Sequence, residues 1–144
     1  MNRQVRLVPL VLSALVLLAL TAAACESSAG TAQVKSAILG KGVDQNGNMV
    51  DPTDTFAPTD PTIHVVATLA NVPDGTTLKA MWYVVEVQGS EPGVIDEISR
   101  TLGSGEETVD FTLANDRPWP VGKYKVELYL NDTLDKTLEF EVKE

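Results

Sequence analysis

The stretch "VGKYKVELYLNDTLDKTLEFEV", residues 121–142, decides the fold. In its first half Tyr124, Val126, Leu128 and Leu130 alternate with other residues, and Leu134, Leu138, Phe140 and Val142 repeat the pattern in the second. A period of two puts each apolar set on one face of a β-strand. Between the runs stands Asn131-Asp132, and these two residue types tolerate the left-handed backbone of a tight turn. The segment therefore predicts a hairpin with one apolar side, which must be covered by other elements.

Upstream segments carry the same signature. "PTIHVVATLA" (61–70) places Ile63, Val65, Ala67 and Leu69 on one face, and "TLKAMWYVVEVQ" (77–88) does so with Leu78, Ala80, Trp82 and Val84. "GVIDEISRTL" (93–102) follows, then "ETVDFTLA" (107–114) with Val109, Phe111 and Leu113 in alternation. "VKSAILGKGVD" (34–44) is a weaker first strand, and an Asn46-Gly47 turn comes after it. The count is about seven strands with no helix between them. Connections this short cannot hold crossover helices, so the expectation is an all-β domain of two antiparallel sheets packed face to face.

The chain begins differently. "MNRQVRLVPLVLSALVLLALTAAAC" (1–25) runs from Arg3 and Arg6 through an apolar stretch, residues 7–20, to Ala22, Ala23, Ala24 and Cys25. That layout predicts a secretory signal peptide, whose arginines stay behind because carrying them through hydrocarbon is costly. An uncleaved transmembrane helix is the rival reading. The apolar core is only about 14 residues long and ends in alanines rather than a basic stop-transfer cluster, which favours the signal peptide.

Cys25 is the sole cysteine of the 144 residues. The run Ala22-Ala23-Ala24-Cys25 resembles the lipobox of bacterial lipoproteins, although that family prefers leucine at the first position. The resemblance implies a diacylglyceryl group on the Cys25 thiol, cleavage just before it, and acylation of the freed amine, with palmitate-like chains. The protein would then be held on the extracytoplasmic side of a cell membrane by its lipid. Two or three acyl chains make a durable anchor where one is marginal. The expected organisation is a leader over 1–24, lipidated Cys25 with a small, polar tether over 25–33, and a domain over 34–144.

Composition bounds what the domain can do. The net charge of −9 becomes −11 once Arg3 and Arg6 leave with the leader. An acidic chain is a poor ligand for a phosphate backbone, so nucleic acid is not an expected partner. With its one thiol given to lipid, the domain has no internal disulfide and must hold by packing. No set of Cys and His suggests a metal or cofactor site, and beyond the covalent diacylglycerol none is expected.

Within this frame the residues resemble an immunoglobulin-like β-sandwich. Trp82 falls mid-strand where that fold keeps its core tryptophan, and "VGKYKVELYL" (121–130) is similar to the family's D-x-G-x-Y-x-C entry to its sixth strand. Gly122 and Tyr124 match; Pro120 replaces the acid and Val126 the cysteine, while Val65 or Ala67 stands at the other bridge position. The resemblance implies that the Tyr124 hydroxyl bonds back to the preceding connection. It specifies fold rather than function, because such sandwiches carry many activities.

Candidate sites are few. His64, the single histidine, would have to serve any hydrolytic triad, but by alternation it faces outward and lacks a nucleophile-elbow context. "DQNGNM" (44–49) opens like a calcium loop and then departs from it, so a hairpin turn is expected. Asp51, Asp54 and Asp60 lie in a proline-rich approach to the first strong strand, read as extended chain in water with Phe56 plugging the sandwich end. Asp96-Glu97 and Glu106-Glu107 read as solvated edges.

The strongest lead is the second face of residues 77–88, where Met81, Tyr83, Val85 and Val87 are also apolar. Either a loop such as "NDRPWPVG" (115–122) shields that face with Trp119, or the face is open to a protein partner. The expected function is a non-catalytic binding or accessory module using Met81, Tyr83, Val85 or Trp119. A structural spacer of the envelope is the first alternative and a small hydrolase the second.

Overall fold

The computed structural model describes residues 31–144. The leader, Cys25 and most of the tether lie outside the described residues. Nine strands follow in order: β1 (Gln33–Val43), β2 (Met49–Pro52), β3 (Thr55–Phe56), β4 (Thr62–Ala70), β5 (Thr76–Val87), β6 (Gly93–Leu102), β7 (Thr108–Ala114), β8 (Gly122–Leu130) and β9 (Thr133–Val142). They form a four-stranded sheet, β2-β1-β4-β7, and a five-stranded one, β3-β9-β8-β5-β6. Facing the two layers buries the apolar side of each alternating strand.

The core lies between the sheets and holds the inward sets of β4, β5, β7 and β8, with fewer residues from the other strands. Trp82, Phe111, Ile63, Leu78, Leu128, Val65, Val109 and Val126 are fully buried. Each such side chain contributes about 1.5–3 kcal/mol on leaving water. Phe140 centres the aromatic part, edge-on to Phe56 (5.7 Å) and Trp82 (5.9 Å) and stacked on Tyr124 (5.4 Å). The described residues thus close a core of their own, running from Val34 to Val142.

The structure departs from the sequence expectation at definite places. Two strands beyond the seven, β2 and β3, come from the proline-rich acidic approach. They are four and two residues long, too short for alternation to register. β3 runs parallel to β9, the one exception to antiparallel pairing among the described strands. Leu134, expected inside, is 48% exposed. Pairing jumps from Leu128↔Lys136 to Tyr129↔Leu134, so Asp135 is an extra residue and Leu134 turns outward with Tyr129. Val87 moves the opposite way: Val85 is skipped between Val84↔Tyr124 and Glu86↔Lys123, and Val87 enters the core.

Candidate functional site

Pairing across the five-stranded sheet builds its outer face in rows. Lys79 of β5 lies beside Tyr129 of β8 and Ser99 of β6, Met81 beside Glu127 and Glu97, and Tyr83 beside Lys125 and Val94. Met81 and Tyr83 are half-buried, Val85 is 39% exposed, and Val94 is 56% exposed. Three of the residues singled out in the sequence, Met81, Tyr83 and Val85, therefore share one side of the sandwich. Sequence reasoning missed their charged neighbours, although Lys125, Glu127 and Tyr129 are the alternate residues of the same "GKYKVELYL" run.

Those neighbours hold the aromatic rings in place. The Lys125 ammonium sits 4.7 Å from the Tyr83 ring centre and donates to Glu127 Oε1 at 2.5 Å, while the Tyr129 hydroxyl donates to Glu127 Oε2 at 2.6 Å. Lys79 covers the Tyr129 ring at 5.1 Å, and the Tyr83 hydroxyl points to Met81 Sδ at 3.5 Å. Glu127 is only 8% exposed despite facing outward. Lys125, then Tyr129, by donating to it, hold its carboxyl below the ordinary range, and burial works against them. The same hydrogen bonds raise Lys125 and Tyr129 above their ordinary values. Next to it, Val85, Lys123, Glu139 and Glu141 border a shallow hollow of about 240 Å³.

Trp119 lies elsewhere. It is 5% exposed and belongs to the core, with its indole N–H donating to the Asp60 carbonyl at 2.7 Å. The expectation that Trp119 itself offers a contact surface is corrected here: the ring turns inward, where its one donor finds a backbone acceptor. Asp60 is equally occupied, accepting the Ala57 N–H at 2.8 Å and pairing with Lys41 at 3.0 Å. Burial raises its carboxyl, but those partners outweigh it and leave the group below its ordinary value.

The opposite face carries His64. Its Nδ1 is 3.1 Å from Asp110 Oδ1 on β7, its Nε2 is 3.2 Å from Thr62 Oγ1, and the Thr112 hydroxyl donates to Asp110 Oδ2 at 3.1 Å. Acid, imidazole and hydroxyl thus meet in the order of a hydrolytic triad. They meet on the outer surface of paired strands, whose own backbone amides lie in the plane of the sheet and are used in its pairing.

Asp44 closes the β1–β2 turn by accepting the N–H groups of Asn46 (2.8 Å) and Asn48 (2.9 Å), with Gly47 at φ 80. It also accepts the Asn48 side-chain amide at 3.0 Å, and that contact chiefly lowers its carboxyl. Its oxygens are spent on a hairpin. Among the described residues no group of three or more His, Cys, Asp or Glu is gathered as a metal site.

At the end of the sandwich the Tyr124 hydroxyl donates to the Pro120 carbonyl at 2.6 Å, and burial raises its pKa. Trp82 pairs with Val126, and both are fully buried, as are Val65 and Ala67. An immunoglobulin-like protein from Pseudomonas aeruginosa superposes with a TM-score of 0.55 over 81% of this chain and 99% of that one, at 14% identity. The fold is an immunoglobulin-like β-sandwich. Two larger proteins match less well. An alkylpurine DNA glycosylase from Pseudomonas fluorescens gives a TM-score of 0.49 at 14% identity, over 78% of this chain and 30% of that one. A β-glucosidase from Listeria innocua gives 0.47 at 16% identity, over 76% and 16%. No protein-family model matches the chain, nor does any curated protein. In immunoglobulin-like terms β8 is the sixth strand, Tyr124 the tyrosine corner and Trp82 the core tryptophan, with aliphatic residues where the disulfide would stand.

Proposed function

We propose that this chain is an exported lipoprotein, tethered by lipid on Cys25 to the extracytoplasmic side of a cell membrane, whose immunoglobulin-like domain is a non-catalytic module that binds a protein. The leader and the small-residue run before Cys25 support the anchoring. The observation that carries the binding role is the Tyr83 face: Met81, Tyr83, Val85 and Val94 stand together at its surface, with Tyr83 held under Lys125. Tyrosine and methionine ringed by charges are what protein interfaces favour, and an ordered ring loses little entropy on binding. The adjoining hollow, about 240 Å³, is smaller than the roughly 300–1,000 Å³ of small-molecule pockets, which favours a protein surface as ligand. On the His64 side the polar groups lie on the outer surface of strands whose backbone amides are used in sheet pairing, which argues against hydrolysis.

The spacer reading draws on the same face, because Lys79, Lys125 and Glu127 already have partners within the domain. Capture from envelope extracts separates the two. Immobilised residues 31–144 should retain a protein that the Tyr83→Asp variant loses; a protein retained equally by both, or none, refutes binding through this face. Anchoring has a separate test. Cells fed a labelled palmitate analogue should label the wild-type chain and not Cys25→Ser, whose leader should stay uncleaved; a wild-type chain that takes up no label contradicts lipidation.

A further inference from the structure

The edge strand β6 is paired on one side only, with β5, and its other edge is free. It is ten residues long, where the edge strand β2 has four and β3 two. An edge of that length is normally guarded against pairing by charges or a bulge, and β6 has both. Pairing passes from Trp82↔Asp96 to Tyr83↔Val94, which leaves Ile95 as the extra residue. Beyond that bulge the strand is regular, and its charges have a particular order.

Asp96, Ile98 and Arg100 stand opposite the buried Trp82, Ala80 and Leu78, so they lie on the core-facing side of the sheet. Asp96 and Arg100 are exposed there, and Ile98 between them is partly buried against the core. The sequence Asp96-x-Ile98-x-Arg100 is antisymmetric in charge about Ile98. Two copies of β6 running antiparallel and centred on Ile98 would therefore set Asp96 of each against Arg100 of the other, twice, with Ile98 against Ile98. Directly opposed side chains stand about 4.5–5.5 Å apart at Cβ, within reach of an ion pair.

Neighbouring symmetric registers lack this match. Centring on Glu97 opposes two glutamates, and centring on Ser99 opposes Arg100 to Ile98. The charges that block slipped pairing thus permit one alignment. Existing contacts of the two groups are weak or local: Arg100 reaches Glu106 at 3.4 Å on the surface, and Asp96 accepts the N–H of its neighbour Glu97 at 2.8 Å. We infer that the free edge of β6 pairs with β6 of a second copy of this chain, in the register centred on Ile98. The two five-stranded sheets then join into one, with both Tyr83 faces on the same side.

Sedimentation equilibrium of residues 31–144, run up to about 1 mM because so small an edge contact belongs to the weak class, reads the mass directly. The wild-type segment should approach twice its monomer mass. Asp96→Arg and Arg100→Asp should each weaken association by about tenfold or more by opposing like charges twice. The double variant Asp96→Arg/Arg100→Asp should recover it, although its contact with Glu106 is not restored. A wild-type segment that stays monomeric overturns the inference, as does a dimer insensitive to either single reversal, or singles that the double variant does not rescue. Both positions are exposed, and an unchanged circular dichroism spectrum verifies that the variants are folded.

Discussion

Glu127 links the fold to the face proposed for binding, and Glu127→Gln isolates what it does. The substitution keeps the volume of a side chain that is 8% exposed and removes the charge that accepts from Lys125 and Tyr129. Hydrogen bonds to charged groups are worth about 1.5–3 kcal/mol each, but Lys125 and Tyr129 can turn to water, so the expected loss is about 1–2 kcal/mol. For a domain of this size that lowers Tm by about 4–8 °C.

The pH dependence gives a second readout. Glu127 has its folded pKa lowered from 4.5, so its contribution is fully present above that value and is lost as pH falls through the folded pKa. Urea unfolding of wild type and variant between about pH 3 and 7 should therefore show a constant gap in the upper range that shrinks below about 4.5. A variant as stable as wild type at pH 7, or a gap that stays constant to the acid limit, would refute the reasoning.

Two further substitutions test the frame. Tyr124→Phe removes the hydroxyl bonded to Pro120 while keeping the stack on Phe140, and should cost about 1 kcal/mol in chemical denaturation. No loss would mean the corner carries no stability. Gly122→Ala should cost more, about 2 kcal/mol or above, because φ is 155 and a new Cβ would lie 2.3 Å from the Glu86 carbonyl oxygen. A neutral result would show that β5 can yield at its bulge.

Where strands alternate without interruption, the structure was readable in the residues. Ile63, Val65, Ala67 and Leu69 on β4, and Val109, Phe111 and Leu113 on β7, are buried as their spacing demands. Alternation fails at bulges, because an inserted residue leaves no mark in the pattern until the partner strand is known. Val85 and Asp135 are such insertions, and they account for Val87 inside and Leu134 outside. Trp119 was misleading for another reason: a tryptophan between prolines looks like a surface loop, and its acceptor, the Asp60 carbonyl, lies 59 residues away in sequence. The candidate site was half legible. Two oily faces on β5 identified Met81, Tyr83 and Val85, whereas the pairing of Tyr83 with Lys125 depends on a register that spacing does not reveal. The meeting of His64 with Asp110 is likewise a product of strand pairing.

The central claim, that the outer face of the five-stranded sheet is where a partner docks, is most directly tested by position-specific photocrosslinking in the full-length chain in cells. A photoreactive residue at Tyr83 should yield a discrete adduct with another protein, and the same residue at Thr112, on the opposite sheet, should not. Adducts formed equally from both positions, or from Thr112 alone, would contradict the account.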